Sequence, residues 1–309
     1  MGISVNLYKK NFLIRFDKDP AIPYLSYKDY DGLNYKENHF TNSIGVRIYY
    51  FEYSYKVIKK KTVVFCPGIG PGHTAYLPEI ESLCRDGYKV ITLDYMGCGA
   101  SDGDTLYSIN EPTRDVIDLL NHLNLKEDLV LVGHSLGGYT TLNVMNLCPF
   151  IKQAVVISGF VDICSEMLTF LKIPALTYPI RDYEKEINPE FGSIDNWEYL
   201  KNTKDNILFI HSKDDPMVAF KVNTQKVIKL NNPSLEFFIT DDKKHNPTYT
   251  VKAVNFMNDS INGYQKLLKQ DKLKTLEERK EYFKDKPASK MTNQDLEVRN
   301  IILNYINNH

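Results

Sequence analysis

Cysteine is scarce and unpatterned. The five residues, Cys66, Cys84, Cys98, Cys148 and Cys164, include no C-x-x-C pair. An odd number at wide spacing excludes a disulfide framework and a cysteine-based zinc site, and it points to a reducing compartment, read here as the cytoplasm. Each cysteine is expected to be a small core residue. A charge of one sign is missing too: 38 basic against 39 acidic side chains leave a net −1. The whole chain therefore offers no electrostatic footprint for nucleic acid or an acidic membrane surface. No stretch approaches about 18 consecutive apolar residues, so no spanning helix is expected. The opening Met1-Gly2-Ile3-Ser4-Val5-Asn6 has no apolar signal core, and Asn6 breaks the myristoylation pattern. The histidines lack metal-ligand spacing and there is no G-x-x-x-x-G-K-[ST] run, so neither a metal nor a P-loop nucleotide is expected. Gly97-Cys98-Gly99-Ala100-Ser101-Asp102 ends in Asp where a dinucleotide fingerprint needs Gly or Ala, and no helix opens there, which excludes a nicotinamide cofactor. No cofactor is expected.

What is present is a chain of 309 residues, 43% hydrophobic, long enough to bury a core without staples. Short apolar runs alternate with helical stretches. Strands are expected at 5–16, at 44–57 (as one or two), and at 62–66, 88–93, 129–132, 154–157, 207–210 and 235–239. Helices are expected at 76–86, from a Ser108/Glu111 capping box to about 123, at 136–147, and near 219–230. Continuous apolar runs such as Thr62-Val63-Val64-Phe65-Cys66 suit strands buried on both faces. The alternation predicts an α/β fold: a mostly parallel central sheet of about eight strands with helices on both faces. The core is assigned to 1–159 and 204–309. Residues 160–203 break the rhythm with Pro174, Pro179 and Pro189 among Met167, Phe170, Leu171, Tyr178, Tyr183 and Trp197, the one tryptophan. An insertion of this length is read as a cap or lid. From Tyr264 onward the tail reads as charged helices, interrupted at Pro287, with a last helix over 293–306.

One string carries chemistry. Gly133-His134-Ser135-Leu136-Gly137-Gly138 fits G-x-S-x-G, follows a buried-type strand and opens a helix. Such a turn lifts the serine hydroxyl above the C-terminal edge of the sheet, beside unpaired helix N–H groups that favour developing negative charge. A serine needs a base, and the base needs an orienting acid, which follow in the order Ser, Asp, His. Downstream lie His211, His245 and His309. Only His245, in the loop after the last strand, has a strand-end acid upstream and freedom to reach Ser135. That acid is Asp214 or Asp215. His134 is expected to be a packing residue.

These residues resemble the α/β-hydrolase fold serine hydrolases, in the branch of monoglyceride-lipase-like esterases and serine aminopeptidases. The resemblance runs over about residues 62–265. It rests on the elbow, on Asp94-Tyr95-Met96-Gly97-Cys98-Gly99-Ala100-Ser101, on the stretch from His211 to Val218, and on the loop after Phe65. In that family the acid stretch resembles H-G-x-x-D-P-x-V, which implies Asp215 as the acid. The loop carries Pro67-Gly68-Ile69-Gly70 where the family commonly has His-Gly. An oxyanion hole needs an N–H and no particular side chain, so the match implies the N–H groups of Ile69 and Leu136 as donors.

The expected activity is hydrolysis of a carboxylic ester or related acyl compound through Ser135, Asp215 and His245, with a small, apolar acyl substrate as partner. His73, Met167, Phe170 and Trp197 are candidate pocket residues. Thioester and amide substrates would use the same groups. A serine aminopeptidase would need acids to hold a substrate ammonium, and Glu166, Glu184, Glu186 and Glu190 are available. The rivals are a non-catalytic ligand-binding member of the fold, and lyase or perhydrolase chemistry on the same triad.

Overall fold

A computed structural model describes residues 2–56, 58–59 and 61–309. Eight strands, β1 (Asn34–Thr41), β2 (Arg47–Ser54), β3 (Thr62–Cys66), β4 (Lys89–Leu93), β5 (Leu129–His134), β6 (Gln153–Ile157), β7 (Asn206–Ser212) and β8 (Leu235–Thr240), form one sheet in the order β1-β2-β4-β3-β5-β6-β7-β8. β1 and β2 pair antiparallel, as do β2 and β4. Every later pair is parallel. The helices are α1 (Ile3–Phe12), α2 (Leu77–Arg85), α3 (Glu111–His122), α4 (Leu136–Leu147), α5 (Ile163–Leu171), α6 (Tyr178–Ile187), α7 (Asn196–Asn202), α8 (Thr224–Ile228), α9 (Val251–Lys269), α10 (Leu276–Phe283), α11 (Ala288–Met291) and α12 (Leu296–Asn308).

The period-2 alternation of strand side chains divides the core in two. Val64, Leu131, Val156 and Phe209 join Val116 and Leu119 of α3 and Leu142 and Met145 of α4. On the opposite face Val63, Val132, Val155 and Ile210 join Ile80 and Leu83 of α2 and Ile302 and Ile306 of α12. Both faces are covered, which is why the parallel strands read as unbroken apolar runs.

Three expectations are corrected and one is narrowed. Residues 5–16 contain no strand. Ser4, Val5 and Tyr8 are the buried positions of α1, and helical spacing, not alternation, unites them. Within 44–57 only β2 is a strand, and Val57 lies outside the described residues. The capping box at Ser108 does not form: Asn110 is the N-cap of α3, and the Ser108 hydroxyl donates to Glu184 instead (2.5 Å). The 219–230 helix is split, because Asn223 leaves helical geometry between a short 3-10 turn and α8.

Between β6 and β7 the chain forms α5, a 3-10 turn, α6 and α7. The buried Glu184 carboxylate of α6 accepts hydrogen bonds from Tyr8 of α1 (2.6 Å), Ser108, and Asn110 (2.8 Å), so this segment is anchored to both the N-terminus and the core.

Glu79 of α2 is buried against the segment after β8, where the Thr248 hydroxyl donates to it (3.0 Å). Burial pushes its carboxyl up to about 7. In the unfolded chain the acid ionises near pH 4.3. Its contribution to stability is therefore complete below about pH 4 and is lost as pH rises through about 7, where the buried group must ionise. Glu79→Gln removes this dependence. Urea denaturation across pH should show the variant gaining on the wild type by roughly 3 kcal/mol between pH 4 and pH 8. A difference that does not change with pH would contradict this.

Candidate active site

The C-terminal ends of β3, β5, β7 and β8 carry the candidate residues to one edge of the sheet. Ser135 sits between β5 and α4 with φ 57° and ψ −120°. A non-glycine residue held there costs on the order of 1–3 kcal/mol and persists only when its surroundings enforce it. Here the Ser135 N–H donates to Ile157 of β6 (2.9 Å), and its carbonyl accepts from Gly138 (2.9 Å) and Tyr139 (3.2 Å). The turn is possible because Gly137 has no side chain: a Cβ there would lie 1.8 Å from the Cys66 carbonyl oxygen at the end of β3. The same closeness brings the loop after β3 over the elbow, where a Cβ on Gly68 would stand 3.2 Å from Cβ of Ser135.

His245 lies in the loop after β8, whose Asp242 and Lys244 adopt left-handed φ values. Its Nδ1 meets Asp215 Oδ2 at 2.8 Å, while Oδ1 of Asp215 accepts the N–H groups of Met217 (2.8 Å) and Val218 (2.9 Å). Burial opposes the Asp215 charge. The neighbouring His245, with hydrogen bonds from His211 and His245, outweighs it and holds the carboxyl below the usual range. Asp215 stays ionised at any working pH, and the stabilisation it provides is lost only in acid. Its neighbour Asp214 is exposed and does something else. It accepts the Ser212 hydroxyl (2.5 Å) and the Lys244 N–H (3.0 Å), joining the β7 loop to the β8 loop.

His245 is also reached from the elbow. The ring of His134, directly before Ser135, lies 4.6 Å from the His245 ring between centroids, and its Nε2 contacts the His245 carbonyl oxygen at 2.7 Å. Among the described residues no hydrogen bond joins the Ser135 hydroxyl to the imidazole. Catalytic hydrogen bonds commonly tighten only around bound substrate. The N–H of Leu136 is the first of α4 and has no intrahelical acceptor. Leu136 and Ile69 share one apolar cluster with Tyr139, Phe160, Met167 and Val218. Such an arrangement can activate a hydroxyl toward a carbonyl carbon and receive the resulting oxyanion.

The candidate pocket residues divide. Met167 is buried in the cluster that holds Leu136, and Phe170 is 40% exposed on the same helix, beside α1. His73 lies elsewhere: it is buried, stacked on Phe51 with ring centroids 3.5 Å apart, and bonded through Nδ1 to Asp94 (2.9 Å). Asp94 also accepts the Ala100 N–H (2.9 Å), and its own carbonyl accepts the Ser101 hydroxyl (2.5 Å), so the Asp94–Ser101 motif is a loop lock. Trp197 packs against the core layer of α3 and α4, its indole N–H donating to Asp162 (2.5 Å). Sequence reasoning missed the support of the β8 loop by the tail. Lys243 is buried and pairs with Asp295 at the start of α12 (2.6 Å), and the Asp295 N–H donates to Thr248 (2.8 Å).

The fold defines a class, and comparison with known proteins agrees. The chain belongs to the alpha/beta hydrolase family, whose model matches residues 63–241. It is 31% identical over 171 residues to a chloroplastic protein of Arabidopsis thaliana named as a methylesterase, covering 55% of this chain and 44% of the relative. It is 29% identical over 171 residues to a proline iminopeptidase of Saccharolobus solfataricus, covering 53% and 54%. The chain thus spans about half the length of the curated relatives it matches. An esterase of Pyrococcus furiosus superposes with a TM-score of 0.58 at 20% identity, covering 83% of this chain and 96% of the esterase, a likeness of fold. Among the described residues no helix is long and apolar enough to cross a membrane.

Replacing the candidate acid tests the reading. Asp215→Asn should lower turnover roughly 10³–10⁴-fold, because the amide cannot hold the correct imidazole tautomer or stabilise its cation. Asp214→Asn keeps acceptors for Ser212 and Lys244 and should change turnover little. Steady-state kinetics of the two variants, with melting curves as folding controls, decide the assignment. The reverse order would move the acid by one residue.

Proposed function

We propose that the protein is a serine hydrolase that cleaves carboxylic esters with an apolar acyl or alcohol group. In this reading His245 takes the proton from Ser135 as the hydroxyl attacks the carbonyl. Asp215 orients and stabilises the imidazolium, and the N–H groups of Ile69 and Leu136 hold the oxyanion. Water then releases the acyl group through the same steps. A thioester would follow the same course. The observation that supports this most is the 2.8 Å Asp215–His245 bond on a loop whose backbone is tied to the residue preceding a strained, elbow-mounted serine. The helical segment at 160–203 is read as the cap over this site, since Met167 and Phe160 pack with Leu136. The apolar side chains of Phe160, Met167 and Val218 clustered around Leu136 support an apolar substrate. Five unbonded cysteines, four of them buried, support a reducing compartment such as the cytoplasm.

A serine aminopeptidase is the second reading, and it depends on one carboxyl. Glu184 is committed to Tyr8, Ser108 and Asn110, and Glu186 and Glu190 are exposed. Glu166 is buried, and its Oε2 has no hydrogen-bond partner. Burial, reinforced by the charge of Asp215, pushes this carboxyl well above its usual range. A protonated acid suits a neutral hydrogen-bond partner better than an ammonium, which favours the ester.

A series of p-nitrophenyl esters, assayed beside aminoacyl p-nitroanilides, separates the two. The ester reading expects kcat/KM to rise about fourfold for each early methylene, as ~0.8 kcal/mol of burial per CH₂ implies, and activity to vanish in Ser135→Ala. Ester hydrolysis that survives Ser135→Ala would overturn it. Faster anilide turnover, lost in Glu166→Gln, would select the aminopeptidase.

A further inference from the structure

His134 occupies the position of the elbow motif that chemistry leaves unspecified, yet both of its ring nitrogens are engaged. Nε2 lies 2.7 Å from the His245 carbonyl oxygen, and Nδ1 lies 2.9 Å from the Tyr76 hydroxyl. The Tyr76 hydroxyl in turn accepts the Gly68 N–H at 2.9 Å. The partners fix the direction of each bond. A carbonyl oxygen can only accept, so Nε2 carries the proton. A neutral ring then offers Nδ1 as acceptor, and the Tyr76 hydroxyl, already accepting from Gly68, donates to it. The run is Gly68 N–H to Tyr76 O–H to His134 Nδ1, then His134 Nε2–H to the His245 carbonyl. His134 is 7% exposed, and burial together with the neighbouring His245 pushes its pKa down to about 3. Burial keeps the Tyr76 hydroxyl protonated as well. Both groups therefore hold these roles across the working pH range.

These bonds join three loops: the loop after β3, the elbow after β5 and the loop after β8. Gly68 immediately precedes Ile69, His134 immediately precedes Ser135, and the last carbonyl belongs to His245 itself. We infer that His134 and Tyr76 are positioning residues that hold the oxyanion loop, the nucleophile and the base in mutual register. The inference rests on the serine-hydrolase reading above. Neither residue takes part in proton transfer. Their effect is on geometry, where a displacement of about 1 Å can cost on the order of 10²-fold in rate. The tie to His245 acts on its backbone, so it complements the Asp215 bond, which acts on its ring.

Four variants and two readouts test this. Tyr76→Phe removes two of the three bonds and keeps the ring. His134→Leu removes two, whereas His134→Gln retains a donor near Nε2 for the His245 carbonyl. On the best p-nitrophenyl ester, Tyr76→Phe and His134→Leu should each lower kcat by roughly 10–100-fold with KM changed less than about threefold. The double variant should be little worse than either single, since both break one line, and His134→Gln should recover part of the loss. Unchanged kcat, or losses that multiply in the double variant and follow the melting temperature, would overturn the inference. ¹⁵N NMR of the imidazole rings supplies an activity-independent reading. His134 should appear as the neutral Nε2–H tautomer, with Nδ1 shifting in Tyr76→Phe; the opposite tautomer would also overturn the inference. A wild-type protein that turns over no acyl substrate would instead remove the functional reading, and with it the catalytic role, while the spectrum still decided the hydrogen bonds.

Discussion

The hydrogen bond between Asp215 and His245 makes a demand on the whole molecule. It joins two loops at the ends of neighbouring strands and requires a carboxylate to remain charged in a buried place. Burial alone would protonate that carboxylate. The imidazoles of His245 and His211 reverse the balance, and two backbone N–H groups hold its other oxygen. The parallel register of β7 with β8, running from Ile207 opposite Leu235 to Ser212 opposite Thr240, brings both loops out at the same level. A sheet buried on both faces keeps that register, because a slip of one residue would turn the apolar side chains of β7 into the wrong layer.

Support for the β8 loop comes from outside the stretch that the family model matches. Lys243 reaches Asp295 at the head of α12, the Thr250 N–H donates to Asn293 (2.9 Å), and α12 itself is buried on the sheet through Val298, Ile302 and Ile306. The N-terminal helix holds a different segment, where Tyr8 meets the buried Glu184 of α6. Both termini thus brace parts of the molecule that flank the candidate site. On the serine-hydrolase reading, the C-terminal helices steady the base and the N-terminal helix steadies the cap.

The central strands and the elbow were legible in the sequence, because burial on both faces leaves unbroken apolar runs and because a strained serine turn requires glycine at positions 133 and 137. The candidate acid was legible only by resemblance, since Asp214 and Asp215 are adjacent and composition cannot say which one turns inward. β1 was not legible. It is an edge strand whose residues are largely exposed, so it carries no apolar alternation to read. α1 was misread because Val5, Tyr8 and Phe12 are equally at home in strands when their spacing is ignored. The roles of His134, Tyr76 and Lys243 were hidden for another reason. Each acts through a hydrogen bond to a residue distant in the chain, and single-sequence patterns carry no trace of such pairs.

Covalent labelling tests the central claim most directly. A fluorophosphonate reacts with a serine only when a base and an oxyanion site are assembled around it. Intact-mass measurement after such treatment, followed by peptide mapping, should show a single adduct carried on Ser135, absent in His245→Ala. Folded protein that takes up no label, or takes it up on another residue, would contradict the account.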